Sequence, residues 1–239
     1  MSAASHKAYI ERLLLVYEAA AVSGWSDDPE PHSLSQMQVA VLCASHGLPV
    51  APAHGLANDA CTCGRKCGHP GRHPRIDLKD ATTDVKLIHE LWKRWPKAKV
   101  IIATGEPDVI AVRATGRKGE RTLNSLIDQH SESSENNESS SEPIKFRGRR
   151  TVTYLLRAPA DGLPTGRVRL AEGVVVHGRG SFVVVPRNVK RPSRAKHLYL
   201  NEISPAPNWL LKLLGLQAGS TTPSELPAVE KEGVDIVYL

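Results

Sequence analysis

Three cysteines and two histidines fall close together: Cys61-Thr62-Cys63-Gly64-Arg65-Lys66-Cys67, then His69 and His73. Thiolate and imidazole are the ligands zinc prefers, and four of them at the corners of a tetrahedron close a structural site. Gly64, Gly68 and Gly71 permit the tight turns that bring such ligands to one point. The spacing C-x-C-x3-C-x5-H nominates Cys61, Cys63, Cys67 and His73 as the metal ligands, with His69 a rival for the fourth place. Four protein ligands leave no open coordination position, so the zinc expected here is structural rather than catalytic. Cys43, the remaining thiol, stands among apolar residues and reads as core. With one Cys left over and no export signal, a disulfide framework is disfavoured.

The second chemical feature is charge. The chain of 239 residues has a net charge of +6. Its distribution is uneven: residues 145–196 hold thirteen Lys and Arg against two acids, Asp161 and Glu172, so the rest of the chain is net negative. Ten of the thirteen are Arg, whose planar fork suits bidentate phosphate contact. Clustered cations of this kind neutralise phosphates and release counterions, which favours a nucleic-acid partner, DNA or RNA, over a merely solvated face. Immediately upstream, residues 131–142 contain only Ser, Glu and Asn. With no apolar group to bury, residues 129–143 are expected to form a disordered loop inserted in a domain.

The elements that must position these groups follow from apolar periodicity. Helices are expected over residues 6–23, 36–46 (capped by Ser35), 83–95, 121–128 and 208–214. Strands are expected at 48–52 (an edge strand), 99–104, 109–112, 151–156, 173–176 and 181–185. The mixture is α+β. Apolar residues are 41% and charged residues 23% of the chain, proportions that exclude a collagen-like or wholly disordered chain. No stretch approaches the ~18 apolar residues of a membrane span, so a cytoplasmic protein without a membrane partner is expected.

Several of these pieces occur in a specific order. The Cys61–Cys67 run is followed by Gly71-Arg72-His73-Pro74, Leu78-Lys79-Asp80-Ala81-Thr82-Thr83-Asp84, Leu91-Trp92-Lys93-Arg94-Trp95-Pro96 and Ile102-Ala103-Thr104-Gly105. Further on come Gly173-Val174-Val175-Val176-His177-Gly178-Arg179-Gly180-Ser181-Phe182 and Pro207-Asn208-Trp209. The series resembles the N-terminal domain of bifunctional DNA primase–polymerases, the prim-pol branch of the archaeo-eukaryotic primase superfamily. The resemblance implies a primase-like α+β fold, with mixed or antiparallel sheets flanked by helices and a small zinc knuckle. It places a helical extension and linker at 1–35, the prim-pol-like domain at 36–215 with its knuckle at 58–76, and a tail at 216–239.

The resemblance also implies two-metal phosphoryl transfer, in which carboxylates hold two divalent cations around the reacting phosphate. Here this chain departs from the family. Arg113 and Thr115 stand where an Asp-x-Asp pair is expected, Val175 where a third Asp is expected, and Thr153 where a nucleotide-binding His is expected. A guanidinium cannot ligate Mg²⁺, and a Val side chain has no oxygen. The expectation is a catalytically retired domain of a replication or mobile-element setting, kept for binding nucleic acid or nucleotide. Arg72, Arg113, Arg147, Arg149, Arg150, His177 and Arg179 would form its phosphate-binding surface. Two other readings stand beside it. One is a divergent active primase or polymerase with relocated ligands such as Glu106, Asp108 or Glu172, which would need Mg²⁺. The other is a regulatory subunit that contacts replication proteins, or a helicase in trans, without affinity for DNA.

Overall fold

The computed structural model describes residues 34–106, 108–131, 143–159, 161–186 and 203–216. The helix expected over 6–23, most of the Ser/Glu/Asn run, the basic residues beyond Pro186 and the tail from Gln217 lie outside the described residues.

Local signals start the helices. In α1 (Gln36–Ala44) the Ser35 hydroxyl accepts from the Gln38 amide N–H at 3.2 Å, and the Gln38 side chain accepts in return from the Ser35 N–H at 2.8 Å. This reciprocal cap satisfies two amides that otherwise lack partners. In α2 (Val85–Arg94) the Asp84 carboxylate accepts from the amides of Lys86 and Leu87. Ile88 and Trp92 are one turn apart and form its buried face. The Trp92 indole N–H donates to the Ala98 carbonyl at 3.1 Å, which ties the helix to the turn that follows Pro96. Helix α3 (Gly116–Ser131) buries Leu123, and the short α4 (Asn208–Leu213) buries Leu210 and Leu211.

The named strands pair antiparallel throughout, and the two parallel contacts among the described residues, Arg157 with Pro205 and Thr165 with Arg179, are isolated bridges. Strand β4 (Lys99–Thr104) lies between β1 (Val50–Ala53) and β10 (Ser181–Val184) in a three-stranded sheet. Strands β2 (Leu56–Ala57) and β3 (Ala60–Cys61) form a minimal hairpin. The large sheet has five strands in the order β6-β7-β5-β9-β8, comprising Ile144–Arg147, Thr151–Arg157, Val109–Thr115, Val174–His177 and Arg167–Ala171.

The alternation along β5 explains how the site is made. Successive side chains of a strand point to opposite faces. Ile110, Val112 and Ala114 face a core shared with Leu123 of α3 and Leu210 of α4. Val109 and Ala111 face the other way, into a core shared with Val100 and Ile102 of β4 and with α1 and α2. The next two residues on that second face are Arg113 and Thr115, at the end of the strand where the two sheets no longer meet. Tight contacts hold this end. Gly119 of α3 lies on Gly173, so close that a Cβ on Gly119 would sit 2.6 Å from the Gly173 carbonyl oxygen.

The antiparallel α+β architecture with few helices agrees with the sequence reading. Some boundaries differ. Strand β5 runs on to Thr115 rather than stopping at Val112, and α3 starts at Gly116 rather than Arg121. Residues 129–131, expected in a loop, belong to α3, which continues to Ser131. Strands β6 and β8 were not foreseen.

Candidate phosphate cleft and metal knuckle

Strand register assembles the row at the cleft floor. Arg113 pairs with Thr153 of β7 on one side and Val175 of β9 on the other. The row continues to Phe146 of β6 beside Thr153 and to Arg169 of β8 beside Val175. One step along, Thr115 pairs with Thr151. Directly paired residues share a face. The positions at which the sequence departs from the expected carboxylates and His, namely Arg113, Thr153 and Val175, are therefore cross-strand neighbours, with Thr115 next to them on the same face.

This floor opens into a cleft of about 1170 Å³. The Arg147–Thr151 turn, Arg167 of β8 and the edge strand β10 form its sides, together with His69 and Arg72 from the knuckle and Lys99 at the start of β4. Seven cationic side chains line it: Arg72, Lys99, Arg113, Arg147, Arg149, Arg150 and Arg167. No Asp or Glu does. At its rim, Arg147 Nη1 donates to both carboxylate oxygens of Glu120 of α3, at 3.2 and 3.1 Å. The Arg167 guanidinium lies over the Phe182 ring at 5.8 Å. Arg113 has no ion-pair partner among the described residues. Partial burial, and then the nearby charges of Arg167 and Arg72, push its pKa below the ordinary arginine value.

Five of the seven expected phosphate residues, Arg72, Arg113, Arg147, Arg149 and Arg150, line this one cleft. His177 and Arg179 do not. His177 is only 2% exposed, and its Nδ1 is hydrogen-bonded to the Ser181 hydroxyl at 2.9 Å. Burial, reinforced by Arg167 and Arg113, lowers its pKa to about 4, so the ring is neutral at pH 7. It is a packing residue beneath the cleft, and its expected role as a surface contact is corrected on that ground. Arg179 is exposed at the turn before β10, where its backbone packs against Gly105. The acids considered as substitute ligands are elsewhere. Asp108 is at the opposite end of β5 from Arg113, where its carboxylate accepts from Arg157 at 2.9 Å. Glu172 pairs with Lys118 at 2.7 Å on the surface. Of the aromatic residues near the basic segment, Phe182 reaches the cleft, whereas Phe146 and Tyr154 pack against the two cores.

Sequence reasoning missed two cleft cations, Lys99 and Arg167. The signal for Arg167 was present: Arg167-Val168-Arg169-Leu170 alternates with the period of a strand. Lys99 stands just ahead of an unbroken apolar run, and it is the β1–β4 register that turns it toward the knuckle.

In the knuckle, the ligand atoms of Cys61, Cys63, Cys67 and His73 all lie within 4.8 Å of one another. Cys61 Sγ is 3.3 Å from His73 Nε2, close to the ~3.6 Å that a tetrahedral zinc imposes between thiolate and imidazole. The amides of Gly71 and Arg65 donate to Cys61 Sγ and Cys63 Sγ at 3.3 and 3.4 Å. The cluster could thus hold a metal ion. It selects His73 over His69, which lines the cleft instead. Among the described residues it is the one group of three or more His, Cys, Asp or Glu side chains close enough to do so. Cys43 is buried in the core, and burial raises its thiol pKa to about 12.

A second hollow, of about 470 Å³, lies beside α2 and is lined by Ile76, Leu87 and Leu91 with Asp80 and Glu90. It contains none of the expected site residues. No helix among the described residues is long and apolar enough to cross a membrane. The family model described as bifunctional DNA primase/polymerase, N-terminal, matches residues 40–209 of the chain. No curated protein matches it.

Proposed function

The chain belongs to the bifunctional DNA primase/polymerase N-terminal family, and we propose that this member uses its cleft to bind the phosphates of nucleic acid without transferring nucleotides. One observation carries the reading: among the described residues, seven cations and no carboxylate line the cleft, with Arg113 in the central row of its floor. Two-metal transfer needs carboxylates to hold two divalent ions a few ångströms apart. A guanidinium there repels such ions, yet it forms charge-assisted hydrogen bonds to phosphate oxygens directly. Arg149 and Arg150 on the β6–β7 turn and Arg72 on the opposite wall would follow the backbone. The Thr153, Thr115 and Thr151 side chains offer hydroxyl donors between them. In this reading the knuckle holds a structural zinc ion, residues 36–215 form the binding domain, and the setting is replication or a mobile element.

Two measurements test it. Labelled nucleotide should not be incorporated on a primed template with Mg²⁺ or Mn²⁺. A labelled single-stranded oligonucleotide should bind with strong salt dependence. Four phosphate contacts correspond to a log–log slope near −2.8 and a loss of about fifty-fold between 50 and 200 mM salt. Incorporation that disappears in Asp108→Ala would reverse the reading in favour of an active enzyme with relocated ligands. Salt-resistant or absent binding, or binding unchanged in the double variant Arg149→Ala with Arg150→Ala, would refute the assigned surface.

A further inference from the structure

The segment 69–73 serves two sites at once. His73 belongs to the metal cluster, while His69 and Arg72 line the cleft. Gly71 sits between them and links the two. Its amide donates to Cys61 Sγ at 3.3 Å, and its carbonyl accepts from Lys99 Nζ, another cleft cation, also at 3.3 Å. There is little slack at this point. Gly71 has a φ of +65° and is buried, and a Cβ there would fall 2.8 Å from the Leu56 side chain. Arg72 is therefore held between a residue bonded to a cluster thiol and a residue that is itself a cluster ligand.

The two sides of this segment are anchored differently. After Arg72, the backbone is tied to β1 without help from the cluster: the His54 amide donates to the His73 carbonyl, and the Arg75 amide to the Pro52 carbonyl, both at 2.8 Å. Before Arg72, the chain is held as far as Thr62 by the two-residue ladder of β2 and β3 and by the Thr62 hydroxyl, which accepts from the Gly55 amide and from Arg75, each at 3.0 Å; from Cys63 to His69 it depends on the convergence of the thiols. A ladder that short is marginal on its own. A metal joining three thiolates to His73 would lock this weaker side to the firmer one.

We propose that metal occupancy of the knuckle sets the affinity of the cleft for phosphate. The loaded knuckle holds Arg72 and His69 in the cleft wall and Gly71 in reach of Lys99. Loss of the metal lets the 63–71 side relax and withdraws them. This inference rests on the phosphate-binding reading of the cleft. Because linkage between two binding equilibria is reciprocal, a polyanion in the cleft must tighten the metal by the same factor by which the metal tightens the polyanion.

The test uses the full chain loaded with zinc and a fluorescein-labelled oligothymidylate. Zinc affinity is read at equilibrium against a chromophoric chelator, with and without the oligonucleotide, so the metal-free chain need not stay folded. The oligonucleotide should raise zinc affinity about tenfold, the size expected for one charge-assisted contact at the low end of its range. Arg72→Gln keeps every ligand, and it should bind zinc normally without oligonucleotide. It should lose most of that tenfold gain and flatten the salt slope for oligonucleotide binding by about 0.7. Zinc affinity indifferent to bound oligonucleotide, or an Arg72→Gln chain that couples as strongly as wild type, overturns the inference and leaves the cleft reading standing. A zinc-loaded chain that does not bind the oligonucleotide at all overturns both.

Discussion

Replacing Arg113 with Met separates a ligand-binding cation from a structural one, because the two roles predict stability changes of opposite sign. Arg113 is half-buried, has no ion-pair partner among the described residues and is depressed in pKa by burial and by Arg167 and Arg72. The empty cleft therefore bears a desolvation cost and a repulsion that Met, with a similar stem and no charge, would remove. Exchanging even a buried ion pair for well-packed apolar groups often stabilises by about 1–4 kcal/mol, and an unpaired cation has no Coulomb attraction to offset its desolvation. Solvent reaches this cleft and screens the charges, so about 1 kcal/mol is the expected gain. Binding should move the other way. A hydrogen bond from a charged group to phosphate is worth about 1.5–3 kcal/mol, which corresponds to a loss of roughly ten- to a hundred-fold in affinity. The stability arm is urea unfolding at low ionic strength without ligand. The binding arm is fluorescence anisotropy of a labelled oligonucleotide over a salt series. A variant that unfolds more easily and binds as tightly as wild type would show that Arg113 holds the fold together, and the cleft reading would lose its central residue.

Two further outcomes follow from neighbouring geometry. His177 has a folded-state pKa near 4 against an ordinary value of 6.5, so the unfolded chain binds its proton first as pH falls. The stability it contributes is complete above pH 6.5 and is lost progressively towards pH 4, by about 3 kcal/mol in all; the difference in unfolding free energy between wild type and His177→Asn, measured by urea titration across that window, should shrink accordingly, and a constant difference would refute the assignment. Gly119→Ala sets two effects against each other: Ala gains about 1 kcal/mol of helix propensity, but its Cβ meets the Gly173 carbonyl at 2.6 Å, and overpacking of this kind costs about 1–3 kcal/mol or more. A lower melting temperature is expected, and a higher one would mean that α3 can shift away from β9 freely.

The parts of the fold that could be read from sequence are those whose local and tertiary signals agree. Val100, Ile101 and Ile102 form an unbroken apolar run because β4 is central and covered on both faces. Ser35 and Asp84 mark helix starts by the hydrogen bonds they offer. The parts that could not be read are those where the cleft intervenes. Strand β5 looked complete at Val112 because Arg113 and Thr115 are polar, and they are polar because the strand leaves the inter-sheet core there. Strands β6 and β8 carry charges on alternate residues, since one face of each edge strand meets solvent or the cleft. For the site, charge density and family resemblance pointed to Arg113, Arg147, Arg149 and Arg150, which are near one another in sequence or in the expected register. Lys99 and Arg167 come from elements whose orientation depends on strand pairing. His177 misled for a different reason: it lies within the basic segment, two residues before Arg179, but the turn through Gly178 and Gly180 folds Ser181 back against it.

The cleft cations fall into two groups, and the division carries a physical consequence. Arg147 has Glu120, Arg167 has the Phe182 ring, and Lys99 has the Gly71 carbonyl. Arg72, Arg113, Arg149 and Arg150 have no ion-pair partner among the described residues. A group of guanidiniums without counter-charge destabilises the compact state by self-repulsion, and evolution of the core alone would favour their removal. An anion in the cleft reverses the sign: it satisfies donors that the protein leaves open and cancels the mutual repulsion of Arg113, Arg167 and Arg72 in the same step. Ligand binding and folding stability are linked, so the fold should gain RT ln(1 + [L]/Kd) from a polyanion, about 2.7 kcal/mol at a hundred-fold excess over Kd. The gain should shrink with added salt, as counterions take over the neutralisation. A carboxylate-lined cleft has the opposite requirement, because it is relieved by divalent cations and not by phosphate. Which ion, Mg²⁺ or a polyanion, raises the melting temperature of the isolated chain therefore reports directly on which of the two chemistries the cleft is built for.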